Sequence, residues 1–111
     1  MTKTINIDYK GKEYTLEFNR NSVKALERSG FNVSEFTTKP VSTIEALFHG
    51  ALKMHHPAIS RDKAMEIYNT LNHKDELVGK VIELYGSVIE AFTGADADKE
   101  TEGNANWDAN F

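Results

Sequence analysis

Cysteine is absent from the 111 residues. That excludes disulfides, a thiolate nucleophile and any cysteine-ligated metal centre, and it fits a reducing compartment. No apolar run approaches the roughly 18 residues that a membrane span requires. Surplus positive charge is missing too. Seventeen acidic against thirteen basic residues give −4 and a pI near 5.5, whereas a general nucleic-acid binder carries a basic stripe. The seven glycines are scattered singly, so no loop exists to cradle a phosphate. No Ser, Thr or Lys stands in a nucleophile motif such as Gly-x-Ser-x-Gly. The start, Met-Thr-Lys-Thr-Ile-Asn-Ile-Asp, alternates polar with apolar residues, unlike a signal peptide. The expectation is a soluble, cytoplasmic protein with no membrane and no nucleic-acid partner.

The charge that is present is unevenly placed. Five acids (Asp96, Asp98, Glu100, Glu102, Asp108) and one base (Lys99) lie in residues 94–111, leaving twelve of each sign in residues 1–93. The expected organisation is one domain over 1–93 and an acidic tail over 94–111, too poor in aliphatic residues to fold alone. That tail nevertheless carries the single tryptophan, Trp107, and a further aromatic, Phe111. A large aromatic on a solvated tether buries much area at low entropy cost, which suits docking on a partner. Folding back onto the body and mere solubilisation are the competing readings.

Patterning predicts an α+β fold, a β-hairpin over about residues 4–18 packed on about four α-helices, with the acidic tail disordered. Ile5, Ile7 and Tyr9 alternate with polar neighbours, as do Tyr14, Leu16 and Phe18. A turn at Lys10-Gly11 pairs Ile7 with Tyr14 and Ile5 with Leu16, putting both apolar sets on one face. A short helix over 20–29 is expected on the surface of the hairpin, capped by Asn19 or Asn21, with Gly30 left-handed and Phe31 packing back on Leu26. In the connector 32–41, Val33 and Phe36 are expected in the core and Pro40 to end any local helix. Ser42 and Glu45 form a capping box for a helix over about 43–55. Ser60 caps 61–71, and Asn72 caps 73–92.

The last of these helices is apolar on more than one side. Val78, Val81, Tyr85, Val88 and Phe92 recur in steps of three and four, widened by Leu77, Ile82, Leu84 and Ile89. Either it is central to the fold or part of it faces a partner. Gly50, Gly79 and Gly86, inside helices, read best as close helix–helix contacts.

Two constellations invite chemistry. His49 and His56, seven apart, share a helix face beside His55, but ligands need converging elements and second-shell support, and no metal or cofactor is expected. Tyr9, Tyr14 and Phe18 could stack bases, yet neighbouring Lys and Arg are balanced by Asp8, Glu13 and Glu17, and core packing is the better account. Carboxylates sit beside bases at i,i+4, as in Glu76 with Lys80, the pattern of a solvated surface.

Three segments carry a resemblance: Phe-Asn-Arg-Asn-Ser-Val-Lys-Ala-Leu-Glu-Arg-Ser-Gly-Phe-Asn (18–32), Lys-Pro (39–40) and Ala-Leu-Phe-His-Gly-Ala-Leu-Lys-Met-His-His (46–56), followed by an acidic tail bearing Trp. Over about residues 4–92 the chain resembles a family of small proteins of unknown function from phages and prophages of Gram-positive bacteria, similar to tail assembly chaperones of long-tailed phages. The resemblance implies a non-enzymatic protein that binds the apolar tape-measure protein, the major tail protein, or both. It implies that such proteins are often made in a short form and a frameshifted longer one, and it leaves self-association open. The surfaces expected to serve are Val78, Val81, Tyr85, Val88 and Phe92 on the last helix, with Trp107 and Phe111 on the tail. A virion structural component, such as a minor tail or head-completion protein, is the first alternative, and a small nucleic-acid-binding regulator the second.

Overall fold

The computed structural model describes residues 3–94. The expected acidic tail, with Trp107 and Phe111, lies outside the described residues. A two-stranded antiparallel sheet, β1 (Ile5–Tyr9) and β2 (Lys12–Leu16), opens the chain. Four helices follow: α1 (Arg20–Arg28), α2 (Pro40–Lys53), α3 (Arg61–Asn69) and α4 (Lys74–Thr93), with a 3-10 turn at Val33–Phe36 between α1 and α2. This is the α+β arrangement that the patterning predicts.

The hairpin has the expected register, Ile7 opposite Tyr14 and Ile5 opposite Leu16. Lys10 and Gly11 both have positive φ, 51° and 78°, the backbone of a type I′ turn, whose twist matches that of the strands it joins. The outer edge of β2 is not left open. Thr15 donates its N–H to His56 Nε2 at 3.1 Å, and Glu17 donates its N–H to the Ala51 carbonyl at 3.0 Å. Two donors along one edge are thus satisfied by Ala51 near the C-terminal end of α2 and by His56 just beyond it, which dock the hairpin there.

α1 begins as expected. Asn19 accepts from the Ser22 N–H while Ser22 Oγ accepts from the Asn19 N–H, each at 2.8 Å. It ends in a Schellman motif: the Phe31 N–H reaches the Leu26 carbonyl and the Gly30 N–H the Glu27 carbonyl, with Gly30 at φ 102°. The helix packs chiefly on α2 and α4 rather than on the hairpin, a correction to the expected placement.

Other helix boundaries also shift. Pro40 starts α2 instead of ending a local helix, and Lys39 precedes it with no side-chain cap. Proline costs nothing at a first helical position, where its missing N–H would be unpaired anyway. The helix therefore begins before Ser42, and the expected capping box falls inside its first turn. Ser60 does cap α3, accepting from the Lys63 N–H at 3.0 Å. Asn72 does not cap α4; His73 stands at that position in a left-handed backbone, φ 54°, without a side-chain cap.

α2 is the hub. It packs against α1, α3, α4, β2 and the 3-10 turn. Phe48, Leu16, Leu47, Leu52, Ile67 and Val81 are the largest fully enclosed side chains. Tyr9, Tyr14 and Phe18 are buried with them, so these aromatics serve as core. Phe36 packs against this core, but Val33 is 45% exposed, contrary to expectation.

The helix glycines divide. A Cβ built on Gly50 would lie 3.1 Å from Leu26 Cδ1, so α1 and α2 do approach closely there. Gly79 and Gly86 have nothing within 4 Å of such a Cβ, so the expected close contact is absent at both. Their cost to the helix is then uncompensated by packing. Gly79→Ala and Gly86→Ala should each stabilise the domain by about 0.5–1 kcal/mol, raising Tm by roughly 2–8 °C apiece. Thermal unfolding of the two variants checks this, and a fall in Tm would mean that something approaches α4 at these positions.

Candidate docking groove

α1 and α4 lie side by side and leave a groove of about 400 Å³ between them. From α1 come Arg20, Val23, Lys24 and Glu27, three, four and seven positions apart and so on one helix face. From α4 come Val88, Ile89, Phe92 and Thr93. Val23 is buried at the floor, and Val88 and Ile89 are half-buried. Phe92 stands at the lip, 63% exposed, with the Arg20 guanidinium over its ring at 4.7 Å. On the other side of Phe92 a second hollow continues past Lys3, Phe18, Ser87 and Ala91.

The groove exists because α1 is short of apolar residues. Val23, Ala25 and Leu26 are its only ones, and Leu26 is spent against Gly50 of α2. Val23 alone meets the end of the α4 stripe. Arg20 and Lys24 stand around the apolar floor with Glu27, while Lys3, in the adjoining hollow, pairs with Glu83 at 3.7 Å. An apolar floor with a predominantly basic rim suits a large apolar side chain carried on an acidic segment.

The residues expected to form a partner face on α4 are split by the fold. Val81 and Tyr85 are only 1% and 5% exposed and cannot meet a partner. Tyr85 lies edge-on to Phe18 and Phe31, with ring centroids 5.5 and 5.3 Å apart, and burial raises its hydroxyl pKa, with Glu27 adding to the effect. Val78 is half-buried. Val88 and Phe92 do line the groove. Ile89, one of the residues widening the stripe, joins them, and Arg20, Val23 and Lys24 complete the groove without having been singled out from sequence. The available signal was the mismatch between a sparse α1 and a broadly apolar α4.

A second hollow, between α1 and α2, is polar along its rim and holds His49, Lys53 and Arg61. His49 and Arg61 are already engaged. Arg61 Nε donates to His49 Nδ1 at 3.2 Å, and His49 Nε2 donates to the Ile59 carbonyl at 2.9 Å. His55 Nε2 meets the buried carboxylate of Glu17 at 2.7 Å. His49, His55 and His56 thus each tie down a different piece of backbone or side chain instead of converging. Among the described residues no three His, Asp or Glu groups come together as metal ligands would. Beside β1, Tyr9 donates its hydroxyl to Glu66 of α3. That bond raises the tyrosine pKa and, with Lys63, lowers that of the carboxyl.

His56 predicts a pH dependence. Burial, followed by Lys12 and then His55, lowers its pKa below the ordinary 6.5, and its Nε2 must stay unprotonated to accept from Thr15. Below about pH 6.5 the unfolded chain therefore binds the proton more readily, and stability falls as pH drops through the folded-state value. The hydrogen bond at stake is of ordinary size, about 1 kcal/mol. Urea midpoints at about pH 7.5 and about pH 5.5 should differ more for the wild type than for His56→Gln, which keeps an acceptor but does not titrate. Equal pH slopes would remove His56 from this role.

Hairpin, helices and groove define a small α+β domain with an apolar groove between α1 and α4. The chain belongs to the family described as Domain of unknown function (DUF5055), which matches residues 1–111. No curated protein and no solved structure matches it.

Proposed function

We propose that this chain is a non-enzymatic assembly chaperone or adaptor that holds a segment of another polypeptide in the α1/α4 groove. The carrying observation is the exposed Phe92 above an apolar floor of Val23, Val88 and Ile89. An amphipathic client helix laid into such a groove is held by apolar anchors at helical spacing, and the basic rim favours one with acidic flanks. The sequence resemblance supplies the client class: a phage tape-measure protein, a major tail protein, or both. A long apolar client needs many small units, each covering a short stretch, and a domain of this size with an open apolar groove is suited to that task.

Co-expression of the full chain with the tape-measure protein of the same genome tests the reading. The soluble fraction of the client should rise, and the two should copurify. An unchanged soluble fraction for both the tape-measure and the major tail protein would overturn it. If the chain instead remained in finished particles, as mass spectrometry would show, a structural role in the virion would replace the chaperone role.

A further inference from the structure

We infer that the α1/α4 groove is the docking site for the chain's own residues 95–111, with Trp107 seated against Phe92, Val88 and Val23, so that a client must displace this segment to bind. The inference rests on the reading of the groove as the client site and adds its regulation.

Four observations converge on this occupant. The segment starts at the groove itself. Thr93, the last residue of α4, is part of the lining, and the left-handed backbone at Gly94, φ 75°, turns the chain off the helix axis. Its length is sufficient. Trp107 is thirteen residues beyond Gly94, a tether reaching at most about 45 Å with a typical end-to-end distance of roughly 20 Å, whereas all of α4 spans only about 30 Å. Its charge is complementary. Residues 95–111 hold Asp96, Asp98, Glu100, Glu102 and Asp108 against Lys99, a net −4, while residues 1–93 are balanced and the groove carries Arg20 and Lys24 against the single acid Glu27. Its anchor fits. An indole buries about 150–250 Å², and the groove offers about 400 Å³ over apolar side chains.

The tether also sets the strength. One aromatic anchor on an acidic strand binds weakly as a free peptide, but a short flexible link presents it at an effective concentration in the millimolar range. A contact too weak to join two molecules at micromolar concentration therefore closes within one. Such a latch protects the groove and still yields to a client with several anchors. If it is closed about two-thirds of the time, the client's apparent affinity is lowered about threefold.

Trp107 is the only tryptophan, so the intact protein reports on itself. In the full chain its emission should be blue-shifted, and its acrylamide quenching about threefold weaker, relative to a free peptide of residues 95–111. Phe92→Ala and, independently, Lys24→Glu should move both readings toward the peptide values. Neither should change with protein dilution. Emission and quenching equal to those of the peptide would overturn the inference. So would shielding that disappears on dilution, which would make the occupant a second copy of the chain. The client reading is tested separately in the full chain, using Trp107→Ala with the tape-measure protein as probe. The latch requires this variant to bind it about threefold more tightly than wild type. Equal binding with an exposed tryptophan removes the latch and leaves the function standing. A shielded tryptophan with no binding by either form removes the function and leaves the latch.

Discussion

Phe48→Ala is expected to cost about 3–5 kcal/mol, the range for emptying an aromatic site in a packed core. A single domain of this size commonly has a total stability of about 5–15 kcal/mol, so the variant should be at best marginally folded. Phe48 is 2% exposed and lies on α2, the helix against which every other helix packs. Its ring meets Tyr68 of α3 edge-on, with centroids 5.2 Å apart. Truncation removes the apolar area and the aromatic contact together. The neighbours Leu47, Leu52 and Ile67 are themselves enclosed and cannot collapse into the space without opening contacts elsewhere. Urea unfolding of the variant measures the loss. Val41→Ala, at a position on the same helix that is 70% exposed, provides the control and should fall within about 0.5 kcal/mol of wild type. A loss below about 1 kcal/mol at Phe48 would mean that α2 is not the centre of the core.

Where local chemistry decides structure, the sequence was readable. Alternation of Ile5, Ile7, Tyr14 and Leu16 about Lys10-Gly11 leaves one register that buries both apolar sets, and that register is present. Gly30 followed by Phe31 announces a Schellman end, and both of its hydrogen bonds form. Asn19 and Ser60 cap as their side chains allow. Misplacement came where two local signals competed. Pro40 can end one helix or begin the next, and Ser42 with Glu45 is a valid box only if the helix has not already started. Asn72 was a plausible cap for α4, yet the first helical hydrogen bond of that helix runs from the Leu77 N–H to the His73 carbonyl.

Tertiary neighbours were less legible, because periodicity identifies an apolar face but not what covers it. Gly50, Gly79 and Gly86 look alike in sequence. Only Gly50 meets another helix, because only there does Leu26 project from α1 into the gap. The α4 stripe was recognised, but its division was not. Val81 and Tyr85 face the core, while Val88 and Phe92 face an α1 too sparse in apolar residues to cover them and line a groove. Predicting that split requires knowing that α1 crosses α4 near its C-terminal end, a fact set by packing on α2 rather than by either helix alone.

That division yields the second large effect. Phe92→Ala should weaken client binding by at least about 2 kcal/mol, roughly thirtyfold in Kd, while leaving the fold nearly untouched. Phe92 is exposed, and among the described residues the contact it loses is the one with Arg20, worth about 0.5–1 kcal/mol at such a site. Tyr85→Ala should show the opposite pattern. It removes a ring packed between Phe18 and Phe31 at a cost of about 3–5 kcal/mol in stability, and any loss of binding should track the fraction unfolded. The latch modifies the first value but not its direction. Opening the groove by removing Phe92 returns at most about threefold in apparent affinity, so a net loss of roughly tenfold remains. Client titration beside urea unfolding for both variants reads the two effects separately. Wild-type binding by folded Phe92→Ala would move the client site off the groove, and the apolar lip of α4 would then have to be explained by something other than docking.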